Sequence, residues 1–452
     1  MNIVFENPDK VNGLLTVTVE ENDYKESVEK TLKDYRKKAN FPGFRPGMVP
    51  MGLVKKQYEL PIKMDTVNKL VGEKVYGYMK ENNIQMLGEP LPSEKQVPVD
   101  LEKEAPYTFL FDIAVAPEFK IELNGKNKID YFVIEPDEKV VDQQVQSYAQ
   151  RMGSYEKADS YEKNDMLRGD LRELDADGNT LEGGVTVEAA PMMPEYIKVD
   201  EQRSLFDNAK PGDIIIFNPR KAYPENDAEV SSLLKIKKEE LPQHEGNFSY
   251  QITEISRYKA HEVNQELFDQ VLGEGTVTNE AEFRQKIAEQ LKAQFAGESD
   301  YKFLLDVRSY VEKKIGNLTY PDALLKRIML KNNEDKGIDY VERNYAESIK
   351  QLTWHLAKEQ LVAANGIKVE DADVKAAAIE AARAQFAQYG MNNVPAEYLE
   401  NYANDMLKKR ENIDGFVDRA VDQKLIATLK NVVKLNEKTV TLDEFNKLFE
   451  EK

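Results

Sequence analysis

The 452-residue chain contains no cysteine, one tryptophan and three histidines. The first absence excludes disulfides, thiolate zinc sites and thiol nucleophiles, and is compatible with a reducing compartment. His244, His261 and His355 are too scattered in sequence to suggest a metal or triad cluster, so neither metal nor cofactor is expected. No apolar window of ~18 residues occurs, and the opening MNIVFENPDK lacks a basic segment followed by an apolar run. The expectation is a cytoplasmic chain without a membrane partner. Positive charge is in the minority, 62 Lys and Arg against 81 Asp and Glu, which argues against DNA or general nucleic-acid binding through a basic surface. The only G-x-G, Gly273-Glu274-Gly275, lacks the G-K-[ST] of a phosphate loop.

What is present is a long chain with an uneven charge. Its 452 residues call for about three domains at ~150 residues each. Residues 1–80 hold 14 Lys or Arg against 11 Asp or Glu, in a chain whose net charge is −19. The cations, among them Lys30, Lys33, Arg36, Lys37, Lys38, Lys55, Lys56 and Lys63, gather around FPGFRPGMVPMGLVKKQY, from Phe41 to Tyr58. Pro42, Pro46 and Pro50 fix φ and remove N–H donors, while Gly43 and Gly47 allow tight reversal, so this reads as a rigid loop with Phe44 and Arg45 at its tip. Tyr24, Val28, Leu32, Tyr35 and Ala39 predict an amphipathic helix before it, with Asp23 as N-cap and Glu26 three residues on. Met51, Val54, Tyr58, Leu70, Val75 and Met79 predict helix after it. An exposed Phe beside an Arg is a usual binding anchor pair. The alternatives are a capping loop whose Phe44 folds into the core, and a charge run that is only a solvated helix face.

The string G-F-R-x-G-x-x-P, matched by Gly43, Phe44, Arg45, Gly47 and Pro50, resembles the ribosome-docking signature of the bacterial trigger factor family. The resemblance implies docking on a ribosomal protein beside the nascent-chain exit tunnel, with ribosomal RNA as a further contact, through Gly43, Phe44, Arg45, Pro46 and Gly47. The family often has lysines where this chain has Pro46 and Met48. The implied protein is an ATP-independent chaperone whose partners are the ribosome and nascent or unfolded polypeptides. Self-association into a weak homodimer is a further expectation, since an exposed apolar cradle tends to find a partner.

The expected fold class is α+β multidomain. Residues 1–118 open with a strand in which Leu15, Val17 and Val19 alternate with threonines and close with one carrying Tyr107, Phe109, Phe111, Ile113 and Val115, a ribosome-binding α+β module in the resemblance. Residues 119–159 read as a linker with a strand-like YFVIEP and the helix EKVVDQQVQSYAQRMGSYEKA. Residues 160–258 are β-rich, punctuated by Asp177-Gly178, Gly183-Gly184 and Pro211-Gly212, and resemble an FKBP-type prolyl isomerase domain at Asp177, Gly178, Gly183, Gly184 and the Lys210-x-Gly212-Asp213 turn. The spacing of Asp175, Asp177 and Gly178 does not fit a calcium loop.

Prolyl isomerisation on that fold needs an apolar aromatic cup that desolvates the X-Pro amide, whose rotation barrier is ~18–20 kcal/mol. Where the family pattern has phenylalanines this chain has Leu171 and Leu181, so the pocket reads as eroded, with Phe206, Phe217 and Tyr223 as residual wall candidates and no catalytic residue assigned. The strand DIIIFN equally places Phe217 in a core. An active isomerase remains the alternative function. Residues 259–452 read as all-helical: Phe283, Ile287, Leu291 and Phe295, then Leu304, Val307, Val311 and Ile315, repeat at helical spacing. The resemblance makes these helices arms around an open cradle, where Met329, Met391 and Met406 suit varied partners.

Overall fold

The computed structural model describes residues 1–38, 42, 44–45, 47–391 and 394–450. Compactness divides the chain into two units, neither continuous in sequence: Met1–Tyr131 with Asp300–Glu437, and Phe132–Ser299 with Lys438–Lys452. The helical region foreseen as one block is thus shared between the units.

In the first unit, strands β1 (Asn2–Glu6), β2 (Asn12–Val19), β3 (Leu91–Pro92) and β4 (Tyr107–Ala114) form an antiparallel sheet in the order β1-β2-β4-β3. The alternation in β2 drives Leu15, Val17 and Val19 into the core under helices α1 (Glu21–Lys38) and α2 (Met51–Glu81), where Leu32, Val54, Val67 and Met79 meet them. Helix α1 starts earlier than the predicted N-cap. Asp23 lies inside the first turn, its carboxylate accepting the Glu20 N–H at 2.8 Å and pairing with the Met1 ammonium at 2.8 Å. It therefore reaches back to the cap position, as the third helical residue of a capping box does. Helix α2 continues through Pro61.

Residues 300–432 of this unit are largely helical, with elements at Asp322–Lys331, Gly337–Ala364, Asp371–Gln388, Ala396–Lys408 and Arg410–Val432, besides the end of Glu280–Ile315. The all-helical expectation for residues 259–452 fails at Lys434–Val440, which forms a strand. Val307 and Val311 pack with Trp354, Leu361, Leu425 and Leu429, as the four-residue repeat foretold; Phe303, which the repeat did not name, joins them in the core, while Leu304 and Ile315 are only partly buried. Arg327 joins the helices to the sheet, its guanidinium donating to Asp112 of β4 at 2.8 Å.

After strand β5 (Lys128–Ile134), the second unit holds α3 (Glu138–Arg151) and an antiparallel five-stranded sheet of β6 (Ser154–Lys157), β7 (Met166–Glu173), β8 (Thr186–Met192), β9 (Ile214–Phe217) and β10 (Phe248–Lys259). The order is β6-β10-β7-β8, with β9 also on β10. The helix foreseen to run through SYEKA ends instead at Arg151, and Gly153 just beyond it passes so close to β10 that a Cβ there would lie 2.3 Å from the Lys259 carbonyl. The chain turns at once into β6, antiparallel to Ser256–Lys259. The Asp177-Gly178 turn forms as foreseen, with Gly178 at φ +85° and Asp175 accepting the Asp177 and Asn179 N–H groups.

Candidate functional site

The segment joining α1 to α2 is held by one residue of α1. Arg36 accepts the Gly47 N–H on its backbone carbonyl at 3.2 Å and donates its Nε–H to the Val49 carbonyl at 2.8 Å. A further turn closes where Met48 N–H meets the Arg45 carbonyl at 2.9 Å, and Gly47 takes φ +83°, a conformation that favours glycine. Val49 and Val54 plug the base and are fully buried. Above that base Phe44 is 40% and Met48 70% exposed, and Arg45 is exposed. Gly43 and Pro46, and the predicted helical Ala39, lie outside the described residues.

Two apolar neighbours escaped the sequence reading. Tyr35, one turn before the end of α1, is exposed and packs on Tyr58 of α2 with ring centroids 5.3 Å apart, and Leu53 is exposed on the first turn of α2. Tyr35 looked like a core member by periodicity, and Leu53 lies outside the predicted helical stripe. The cations divide as well. Lys33, Lys38 and Lys56 are exposed and, among the described residues, make no ion pair. Lys37 pairs with Asp34 at 2.9 Å, which holds that carboxyl below its ordinary range. Lys63 does not join the surface cluster: it donates to the Leu101 carbonyl at 2.7 Å and lies over the rings of Tyr24 and Tyr107.

The isomerase-type candidates meet a different fate. Leu171, Phe206, Phe217 and Tyr223 are brought together, but as members of one buried core with Tyr250, whose hydroxyl donates to the Ala190 carbonyl at 2.7 Å. Phe206, Phe217 and Tyr250 meet edge to face at centroid distances of 5.5, 6.3 and 6.4 Å. Leu181 lies apart, exposed on the hairpin after β7. These aromatics fill space instead of walling an open cup. Burial pushes the phenols of Tyr223 and Tyr250 well above their ordinary value. The Tyr161 phenol is pushed up to about 12, chiefly by burial and then by Glu195, Asp165 and Asp207. Among the described residues no cluster of His, Asp and Glu has the makings of a metal site.

In the helical region, Tyr389 (73% exposed), Met391 and Tyr398 stand in water at the turn between helices Asp371–Gln388 and Ala396–Lys408. Met329 and Met406 are half-buried, the latter against Ala378, Ala403 and Phe416. A cavity of about 640 Å³ beside Gly316 is lined by Leu318, Tyr320, Ile349 and Thr353 with Lys313 and Lys350 at its margin.

An exposed aromatic and cationic loop, a β-rich module and a helical region with exposed aromatics make up a multidomain chain whose class its relatives give as chaperone. Three family models match successive stretches of the chain: bacterial trigger factor protein over residues 1–148, the FKBP-like domain of probable trigger factor over 155–260, and the C-terminal domain of probable trigger factor over 299–449. The chain belongs to the trigger factor family of chaperones. It is 24% identical over 423 residues to the trigger factor of Chloroherpeton thalassium, covering 89% of this chain and 93% of that one. With the Chlorobaculum tepidum trigger factor the identity is 22%, with 96% and 97% covered. A solved structure, described in its title as concerning promiscuous substrate recognition in folding and assembly by the trigger factor chaperone, has the same fold over 95% of this chain and 99% of its own, at TM-score 0.52 and 14% identity.

Proposed function

We propose that this chaperone docks on the ribosome beside the tunnel exit through Phe44, Arg45 and Met48, flanked by Gly43, Pro46 and Gly47, and shelters nascent chains in the cytoplasm without ATP. The observation that supports it is an aromatic, a thioether and a guanidinium held in water on a base that Arg36 ties down. Exposed apolar groups on a preorganised loop keep the ordering cost of binding low. Lys33, Lys38 and Lys56 add a salt-sensitive attraction to an RNA-rich surface. Unfolded segments would meet the arms at Tyr389, Met391 and Tyr398. The test is co-sedimentation with ribosomes: Phe44→Ala with Arg45→Ala is expected to abolish it, and unchanged binding would remove the assignment.

The rival reading, an active prolyl isomerase, is disfavoured by the closed aromatic cluster. Proline-limited refolding of a test protein decides between them, since catalysis at the level of an open-pocket isomerase would reverse the order.

A further inference from the structure

Strand β9 lies on one side of β10, and its register decides which backbone groups are used. Ile252 N–H donates to the Asp213 carbonyl at 2.9 Å, and Ile215 faces Tyr250 while Phe217 faces Phe248. In an antiparallel ladder alternate residues bond the same neighbour, so Ile215 and Phe217 turn their N–H and C=O groups to β10. Ile214 and Ile216 turn theirs away, and among the described residues no partner accepts from or donates to them on that side. Their side chains are 60% and 52% exposed, while Phe217 on the opposite face is buried. Sheet edges are normally blunted by lysine, proline or a bulge. The strand, reading IIIF, carries none of these.

We propose that the free edge of β9 receives an extended segment of unfolded polypeptide as an added strand. Main-chain groups of the segment pair with those of Ile214 and Ile216, and its alternate apolar side chains lie on the two isoleucines. The proposal rests on the reading that this chaperone holds unfolded chains, and names how its isomerase-type module takes part. A strand edge accepts only another strand. A second copy of this chain is the other candidate, but two outward-facing residues bury far less than the ~800 Å² per partner of a stable dimer. Residues 160–258 contain 20 Asp and Glu against 12 Lys and Arg, so segments that alternate apolar with basic residues are favoured. Recognition through the main chain is indifferent to most side-chain sequence, and four residues of edge make it brief.

The test uses the full chain, a fluorescein-labelled peptide of alternating valine and lysine roughly eight residues long, and the same peptide N-methylated at every second residue. Ile216→Pro removes only the outward N–H, leaving the bonds to β10. Binding of the plain peptide is expected, with a loss of roughly fivefold or more both on N-methylation and on Ile216→Pro. Equal binding of the methylated peptide to the unaltered protein overturns the proposal without reference to any variant. Suppression of aggregation of reduced α-lactalbumin, measured alongside, separates the two readings. If the unaltered protein suppresses aggregation but ignores N-methylation, holding of clients stands and the β9 site falls; if it does not suppress aggregation, both fall. A concentration-dependent dimer abolished by Ile216→Pro assigns the edge to a second copy and also overturns the proposal.

Discussion

Phe44 and Phe217 are the same side chain put to opposite use. Phe217 points from a strand into a cluster with Phe206 and Tyr250, each meeting the others edge to face. Phe44 stands, 40% exposed, on a segment whose Gly47 N–H and Val49 carbonyl are satisfied from below by Arg36, so part of its ring faces solvent. The lesson is that aromatic content alone does not mark a binding surface. What marks it is where the backbone hydrogen bonds of the segment are satisfied, because a turn tied down by its own helix cannot turn inward.

That contrast is sharpest in stability. Phe217→Ala is expected to cost the β-rich module ~3–5 kcal/mol, since it empties a packed site, and Phe44→Ala within about 0.5 kcal/mol. Hydrogen exchange at Tyr250 and its neighbours measures the first, and equal protection in both variants would erase the distinction. Ribosome binding should reverse the ranking, with Phe44→Ala alone losing at least roughly tenfold in affinity and a Phe217→Ala protein that stays folded losing none.

Alkaline pH probes the buried side. The Tyr161 phenol sits at about 12 in the folded module against about 10 in an unfolded chain. Below pH 10 both states hold the proton and the contribution to stability is complete. Between about 10 and 12 the unfolded chain releases it first, so stability falls as pH rises. Urea midpoints for the module should decline across that window, and Tyr161→Phe should flatten the decline.

Smaller effects sharpen the exposed side. Arg36→Ala removes the donor to Val49 and should weaken docking roughly fivefold, about 1 kcal/mol, without touching a binding side chain. Met48→Lys should leave affinity in low salt nearly unchanged but steepen its dependence on salt by about one in a log–log plot. An unchanged slope would mean that position 48 does not face the partner.

Much of this was legible in the sequence. The alternation in β2 and the four-residue repeat through Phe283 to Ile315 named core residues directly, because burial on one face is what periodicity records. Tyr35 was misplaced and Leu53 passed over, since a helix beside an exposed loop keeps apolar residues outside its core stripe. Lys63 was misread as surface charge because the rings it covers, Tyr24 and Tyr107, are remote in sequence. The closure of Phe206 on Phe217 and Tyr250 depends on strand register, as does the free edge at Ile214 and Ile216, and no local pattern encodes either.

Arg36 binds main-chain atoms of the loop, its carbonyl taking the Gly47 N–H and its guanidinium giving to the Val49 carbonyl. Its hold is therefore blind to the side chain carried at position 48. Aim and chemistry are separable: Met48 can be exchanged without loosening the two bonds that set the loop's base.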